Sequence, residues 1–90
     1  MEVAATILVE GLVQGVGFRY FVARKANGYR LKGRVANLSS GAVEIDVEGD
    51  RSLIEELIKD IRVGPRAARV TGVSVEWNPA GRGYPDFEIQ

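Results

Sequence analysis

The 90 residues hold 12 Lys plus Arg against 12 Asp plus Glu and form one domain, 1–90, since no Pro/Gly/Ser-rich linker or shift of composition divides them. Charge balance tells against nucleic acid as a partner, and the absence of Cys and His removes thiolate chemistry, disulfides, the usual general base and the commonest metal ligand, which tells against triad chemistry and most transition-metal sites; no cofactor is expected. Without an 18-residue apolar run or a basic-then-apolar leader, the chain is expected to be cytoplasmic, with no membrane partner.

Val3 to Glu10 alternates, with Val3, Ala5, Ile7 and Val9 on one face, and this period of two predicts a strand. It runs into Gly11-Leu12-Val13-Gln14-Gly15-Val16-Gly17-Phe18-Arg19. A helix is predicted over about Arg19 to Tyr29, its apolar stripe formed by Phe18, Phe21, Val22, Ala26 and Tyr29. Lys25 falls in the same sector, so its ammonium must snorkel out or the helix phase is slightly different. Leu31 to Leu38 and Ala42 to Glu48 read as a hairpin around Ser39-Ser40-Gly41. In its second strand Val43, Ile45 and Val47 face inward, which leaves Glu44, Asp46 and Glu48 as a solvated outer row and not a metal site.

The second helix is predicted from Arg51 or Leu53 to Ile61, buried through Leu53, Leu57, Ile58 and Ile61. Asp50 caps it directly, or Ser52 and Glu55 form a capping box; Val63-Gly64-Pro65 ends it. Val70 to Trp77 is a further strand with Val73, Val75 and Trp77 inward. Residues 78–83 read as a turn-rich loop without further signal, and Phe87 with Ile89 adds a short final strand.

This order is the ferredoxin-like plan, an α+β βαββαβ sandwich of an antiparallel sheet with two helices on one face. Its first and second strands run parallel with the third between them, so their C-terminal ends share an edge. Counting by two from Leu31 through Gly33 and Val35 puts Asn37 on the helix-covered face, beside the glycine loop.

Two readings of that loop stand side by side. In one, the glycines make a strand-to-helix turn and Arg19 is a solvated surface residue. In the other, Gly11, Gly15 and Gly17 let successive N–H groups turn toward one point at a helix N-terminus, and Arg19 adds a charged fork that matches two phosphate oxygens. The loop lacks the Gly-Lys-Ser/Thr ending of a nucleotide P-loop, which argues against a nucleoside triphosphate with Mg²⁺. Asn37 either bonds its own turn or, beside the loop, holds a water through its carboxamide.

The loop from Gly11 to Arg19 resembles the signature of the acylphosphatases. So does Gly33-Arg34-Val35-Ala36-Asn37, followed by Gly41, Val43 and Gly49. The resemblance extends through Gly64-Pro65, Ala68-Arg69-Val70 and Phe87-Glu88-Ile89. It implies hydrolysis of acyl phosphates to a carboxylate and inorganic phosphate, without a metal or a covalent intermediate. By position, Arg19 and the backbone N–H groups of Gln14, Gly15, Val16, Gly17 and Phe18 would bind the phosphate, and Asn37 would orient the attacking water.

The chain departs from the family pattern at Arg34, where an aromatic residue is usual, at Ala36, where a basic one is frequent, and at Arg30, where a glycine would end the first helix. The first two point away from Asn37's face, and the third is expected to fray the helix. The alternative is a non-catalytic anion-binding or regulatory module on the same fold. An RNA-recognition domain is disfavoured because Gly41 to Gly49 lacks aromatic residues and is acidic. The expected partners are a small-molecule acyl phosphate and its product phosphate, the expected state a monomer.

Overall fold

The computed structural model describes residues 1–90. Its elements are β1 (Glu2–Leu12), α1 (Phe18–Gly28), β2 (Lys32–Asn37), β3 (Val43–Asp50), α2 (Arg51–Val63), β4 (Arg69–Pro79) and β5 (Phe87–Ile89). The sheet order is β4-β1-β3-β2-β5. β3 pairs antiparallel with both β1 and β2, which are therefore parallel to each other with β3 between them, as the ferredoxin-like plan requires. The last strand adds what an all-antiparallel plan lacks: β5 pairs parallel with β2, so the sheet is mixed.

The core lies between one sheet face and the two helices. Ala5, Ile7, Val9, Val35, Val43, Ile45 and Val47 enter it from the sheet, Phe18, Val22, Ala23 and Ala26 from α1, and Ile54, Leu57, Ile58 and Ile61 from α2. Each fully buried Val, Leu, Ile or Phe contributes about 1.5–3 kcal/mol relative to exposure, so these positions dominate the stability.

In α2 the buried set begins at Ile54 and not at Leu53, which is 36% exposed. The spacing 54, 57, 58, 61 is the true helical stripe. Asp50 is the cap, accepting from the Ser52 N–H at 2.9 Å. In α1, Phe21 and Tyr29 flank the buried stripe, while Ala23 joins it. Lys25 snorkels, its ammonium 5.7 Å from the centre of the Phe21 ring.

The end of α1 is closed and not frayed. Leu31 N–H donates to Ala26 O at 2.9 Å and Arg30 N–H to Asn27 O at 3.0 Å, the paired bonds of a Schellman motif. That motif needs a left-handed residue, and Arg30 supplies it at φ 59.

Two further expectations give way to different arrangements. Gly11 belongs to β1 and not to the loop: it sits at a bulge, φ 127, where a Cβ would run into the Arg69 carbonyl oxygen of β4. Its role is close backbone approach. The outer row on β3 is covered, with Asp46 and Glu48 buried and Glu44 half-buried. Arg34 on β2 bridges Glu44 and Asp46, both at 2.8 Å, and the Thr6 hydroxyl donates to Asp46 at 2.9 Å. Glu48 accepts from the N–H groups of Gly81 and Arg82 at 2.8 Å and Gly83 at 2.9 Å. The loop read as featureless thus folds back over this face.

Candidate active site

Between β1 and α1 the chain is anchored at both ends by buried apolar side chains, Val13 and Phe18. The intervening glycines Gly15 and Gly17 take φ 74 and φ 75, the left-handed region that turns the backbone without a Cβ penalty. Gly17 is the N-cap of α1, with no side-chain cap and no acidic residue in the first turn. No N–H group from Gln14 to Tyr20 has an acceptor within the chain; the first helical bond there is Phe21 N–H to Gly17 O. Unpaired N–H groups therefore lie at the positive end of the helix dipole.

Gln14 holds this loop in position. Its Nε2 donates to Leu38 O at 2.7 Å and Ala42 O at 2.9 Å, the two carbonyls at the base of the β2–β3 turn. The side chain ties the loop to the hairpin that carries Asn37. The sequence marks Gln14 only for its backbone N–H, because a side chain that spans 24 residues of sequence has no spacing signature.

Arg19, in the first turn of α1, is half-buried. Its Nη1 donates to the main-chain oxygen of Gln90 at 2.7 Å, while Gln90 N–H donates to Val35 O at 2.8 Å. Gln90, continuing β5 along β2, thus steadies the guanidinium. That contact follows from the parallel pairing of β5, which the pattern of strands left unspecified.

Asn37 ends β2 opposite Val43, on the face that Gly33 and Val35 bury. It is exposed and makes neither the turn bond nor any other side-chain hydrogen bond, so its carboxamide is uncommitted. A hollow of about 100 Å³ is lined by Val13, Gly15, Gly17, Phe18, Arg19, Tyr20 and Asn37. Arg19, Asn37, Gly15, Gly17 and Phe18 are thereby brought together. Gln14 and Val16 are not among the lining residues, and Val13 and Tyr20 were not anticipated. No Asp or Glu lines the hollow, and no side chain there offers an obvious base.

The acylphosphatase family model matches residues 5–89. An acylphosphatase of Thermotoga petrophila is 47% identical over 87 residues, covering 97% of this chain and 96% of its own. One from Chlorobaculum tepidum is 49% identical over 83 residues, covering 92% and 90%. The crystal structure of acylphosphatase from Bacillus subtilis superposes with a TM-score of 0.95 at 36% identity, covering 98% of each chain.

Proposed function

This chain belongs to the acylphosphatase family and is an enzyme that hydrolyses acyl phosphates; from that premise we propose that it does so by direct attack of a water oriented by Asn37 on a phosphoryl group held by Arg19 and the 14–19 loop. The observation that carries the mechanism is the single hollow that joins unpaired N–H groups, a guanidinium and an uncommitted carboxamide.

In this mechanism the loop N–H groups and Arg19 bind the non-bridging phosphate oxygens and stabilise the charge that develops on them. Asn37 accepts from the water through its carbonyl oxygen, or donates to it through its N–H₂, and so aligns it with the phosphorus. The water oxygen bonds to phosphorus as the bond from phosphorus to the acyl oxygen breaks. The leaving carboxylate is a stable anion that needs no general acid, and the water's proton passes to a phosphate oxygen of the substrate. No covalent intermediate forms and no metal takes part. The partner is the small acyl phosphate itself, acted on by a monomeric, cytoplasmic enzyme; no helix is long and apolar enough to cross a membrane.

The test is hydrolysis of benzoyl phosphate, with a chelator present, by wild type, Arg19→Ala and Asn37→Ala. Arg19→Ala should lose at least about 10²-fold in kcat/KM, comparable to removing one oxyanion donor. Asn37→Ala should lower kcat far more than it weakens inhibition by inorganic phosphate. Full activity in both variants would overturn the site, loss of activity on chelation the metal-free step, and an inactive wild type that binds phosphate tightly would favour a regulatory module.

A further inference from the structure

Next to the phosphate hollow lies a shallow groove of about 380 Å³, lined by Gly17, Tyr20, Phe21, Arg24 and Pro65. Gly17 and Tyr20 line both, so the two adjoin. We infer that this groove receives the far end of the acyl group, and that Arg24 makes the enzyme favour acyl phosphates carrying a second anionic group on a short acyl chain.

Tyr20 and Arg24 stand four residues apart on α1, hence on one face of the helix. Tyr20 is 72% exposed, an aromatic surface at the junction that no packing requirement explains. Arg24 is exposed and takes part in none of the salt bridges of the chain, so its guanidinium is open to a ligand in the groove it lines. The ammonium of Lys25 sits over Phe21, another groove residue, and no carboxylate lines the groove. The local field is therefore positive on a chain whose net charge is zero.

Length fits as well. Arg24 lies seven residues beyond the N-cap Gly17, about 10 Å along the axis at 1.5 Å per residue, and helical side chains lean back toward the N-terminus. The guanidinium then reaches to within roughly 5–8 Å of an anion at the helix start, the span of an acyl chain of a few carbons. Tyr20 covers the apolar middle of such a chain.

This inference rests on the proposed phosphoryl site, and the experiment separates the two. Wild type, Arg24→Gln and Arg24→Glu are assayed on benzoyl phosphate, with a neutral acyl group, and on succinyl phosphate, with a distal carboxylate. Arg24→Gln should lower the ratio of kcat/KM for succinyl over benzoyl phosphate by about three- to tenfold, through the KM of the succinyl compound, as expected for one partly exposed charge-assisted contact. Arg24→Glu should lower it further, and added salt should shrink the wild-type preference. An unchanged ratio, or a loss expressed only in kcat, overturns the assignment of Arg24 while benzoyl phosphate turnover still upholds the phosphoryl site. A wild type inactive on both compounds overturns both.

Discussion

Two glycine-punctuated loops in this chain present runs of backbone N–H groups free of secondary-structure bonds, and they differ in what fills them. At residues 81–83, with Gly81 at φ 154 and Gly83 at φ 70, three consecutive N–H groups close on the carboxylate of Glu48. At residues 14–20, with Gly15 and Gly17 near φ 75, the N–H groups have no partner in the chain. The same backbone device is filled where the fold supplies its own anion and open where it does not, and it is the open one that the proposed mechanism assigns to the phosphoryl group. What separates them is whether a carboxylate of the neighbouring strand points at the loop. β3 places Glu48 under the first, while β2 ends beside the second in the neutral Asn37.

The largest expected effect breaks the open loop. Arg19→Ala should lose at least about 10²-fold in kcat/KM, roughly 2.7 kcal/mol of transition-state stabilisation, while its unfolding free energy stays within about 0.5 kcal/mol of wild type. Urea melts beside the benzoyl phosphate assay check both. A large loss of stability would mean that the contact between Arg19 and Gln90 is a structural tie and that Arg19 is held for the fold and not for an anion.

The filled loop should show the reverse. Glu48→Ala strands the N–H groups that close on its carboxylate and should cost about 1–3 kcal/mol of stability, with kcat on benzoyl phosphate retained at temperatures where the variant is folded. Acid sharpens this. Burial pushes the Glu48 carboxyl up, but the N–H groups of Gly81, Arg82, Gly83 and Tyr84 outweigh it and hold the group below its ordinary value of 4.5. A carboxyl lowered by folding stabilises fully above its unfolded pKa and loses that contribution as pH falls through the folded one. Asp50, held at about 2 by the Ser52 hydroxyl, the chain's amino terminus and the Ser52 N–H, acts in the same sense. Melting temperature should therefore fall as pH drops below about 4.5, and Glu48→Gln should reduce that fall. An identical acid limb in the variant would show that Glu48 is not the group that titrates with folding.

How much of the contrast was legible in the sequence follows from what alternation encodes. The open loop was readable because its glycines, the strand before it and the helix after it are contiguous, and the crossover rule brings Asn37 to the same edge. Period two also divided β3 correctly into two faces, but it carries no information on whether a later segment returns to cover the outer one. Glu48 is bonded to backbone N–H groups 33 to 35 residues away, and a backbone donor leaves no side-chain signature. The one-residue error in α2 has a similar cause: Leu53 and Ile54 are adjacent and both apolar, and only the cap at Asp50 fixes which of them turns inward.

Gln14 tests whether the open loop depends on being held open. Gln14→Ala removes both bonds to the hairpin, and each such bond contributes about 0.5–1.5 kcal/mol. The loop N–H groups then lose their fixed aim relative to Asn37, so kcat should fall by about tenfold with a smaller change in inorganic phosphate affinity. Gln14→Glu cannot donate to the two carbonyls and should behave at least as badly. If instead Gln14→Ala loses stability alone, the loop is rigid without its tie and the anchors Val13 and Phe18 suffice.

The smallest effect concerns a left-handed turn that is neither loop. In both nests the positive φ falls on glycine, but at the end of α1 it falls on Arg30, φ 59. A non-glycine residue there costs about 1–2 kcal/mol, while glycine would lose about 0.5–1 kcal/mol of additional chain entropy on folding. The balance favours glycine, so Arg30→Gly should stabilise by about 0.5–1 kcal/mol, a rise of roughly 2–8 °C in melting temperature for a domain of this size. No salt bridge is lost, since Arg30 makes none. Activity on benzoyl phosphate should stay the same, because Arg30 lies at the opposite end of α1 from Arg19. Arg30→Asn should fall between the two, as asparagine tolerates the left-handed region better than arginine. A destabilised Arg30→Gly would mean that the arginine stem stabilises the Schellman turn by packing more than its backbone strains it. The difference between the two glycine loops and this third turn would then lie in side-chain contacts and not in backbone conformation.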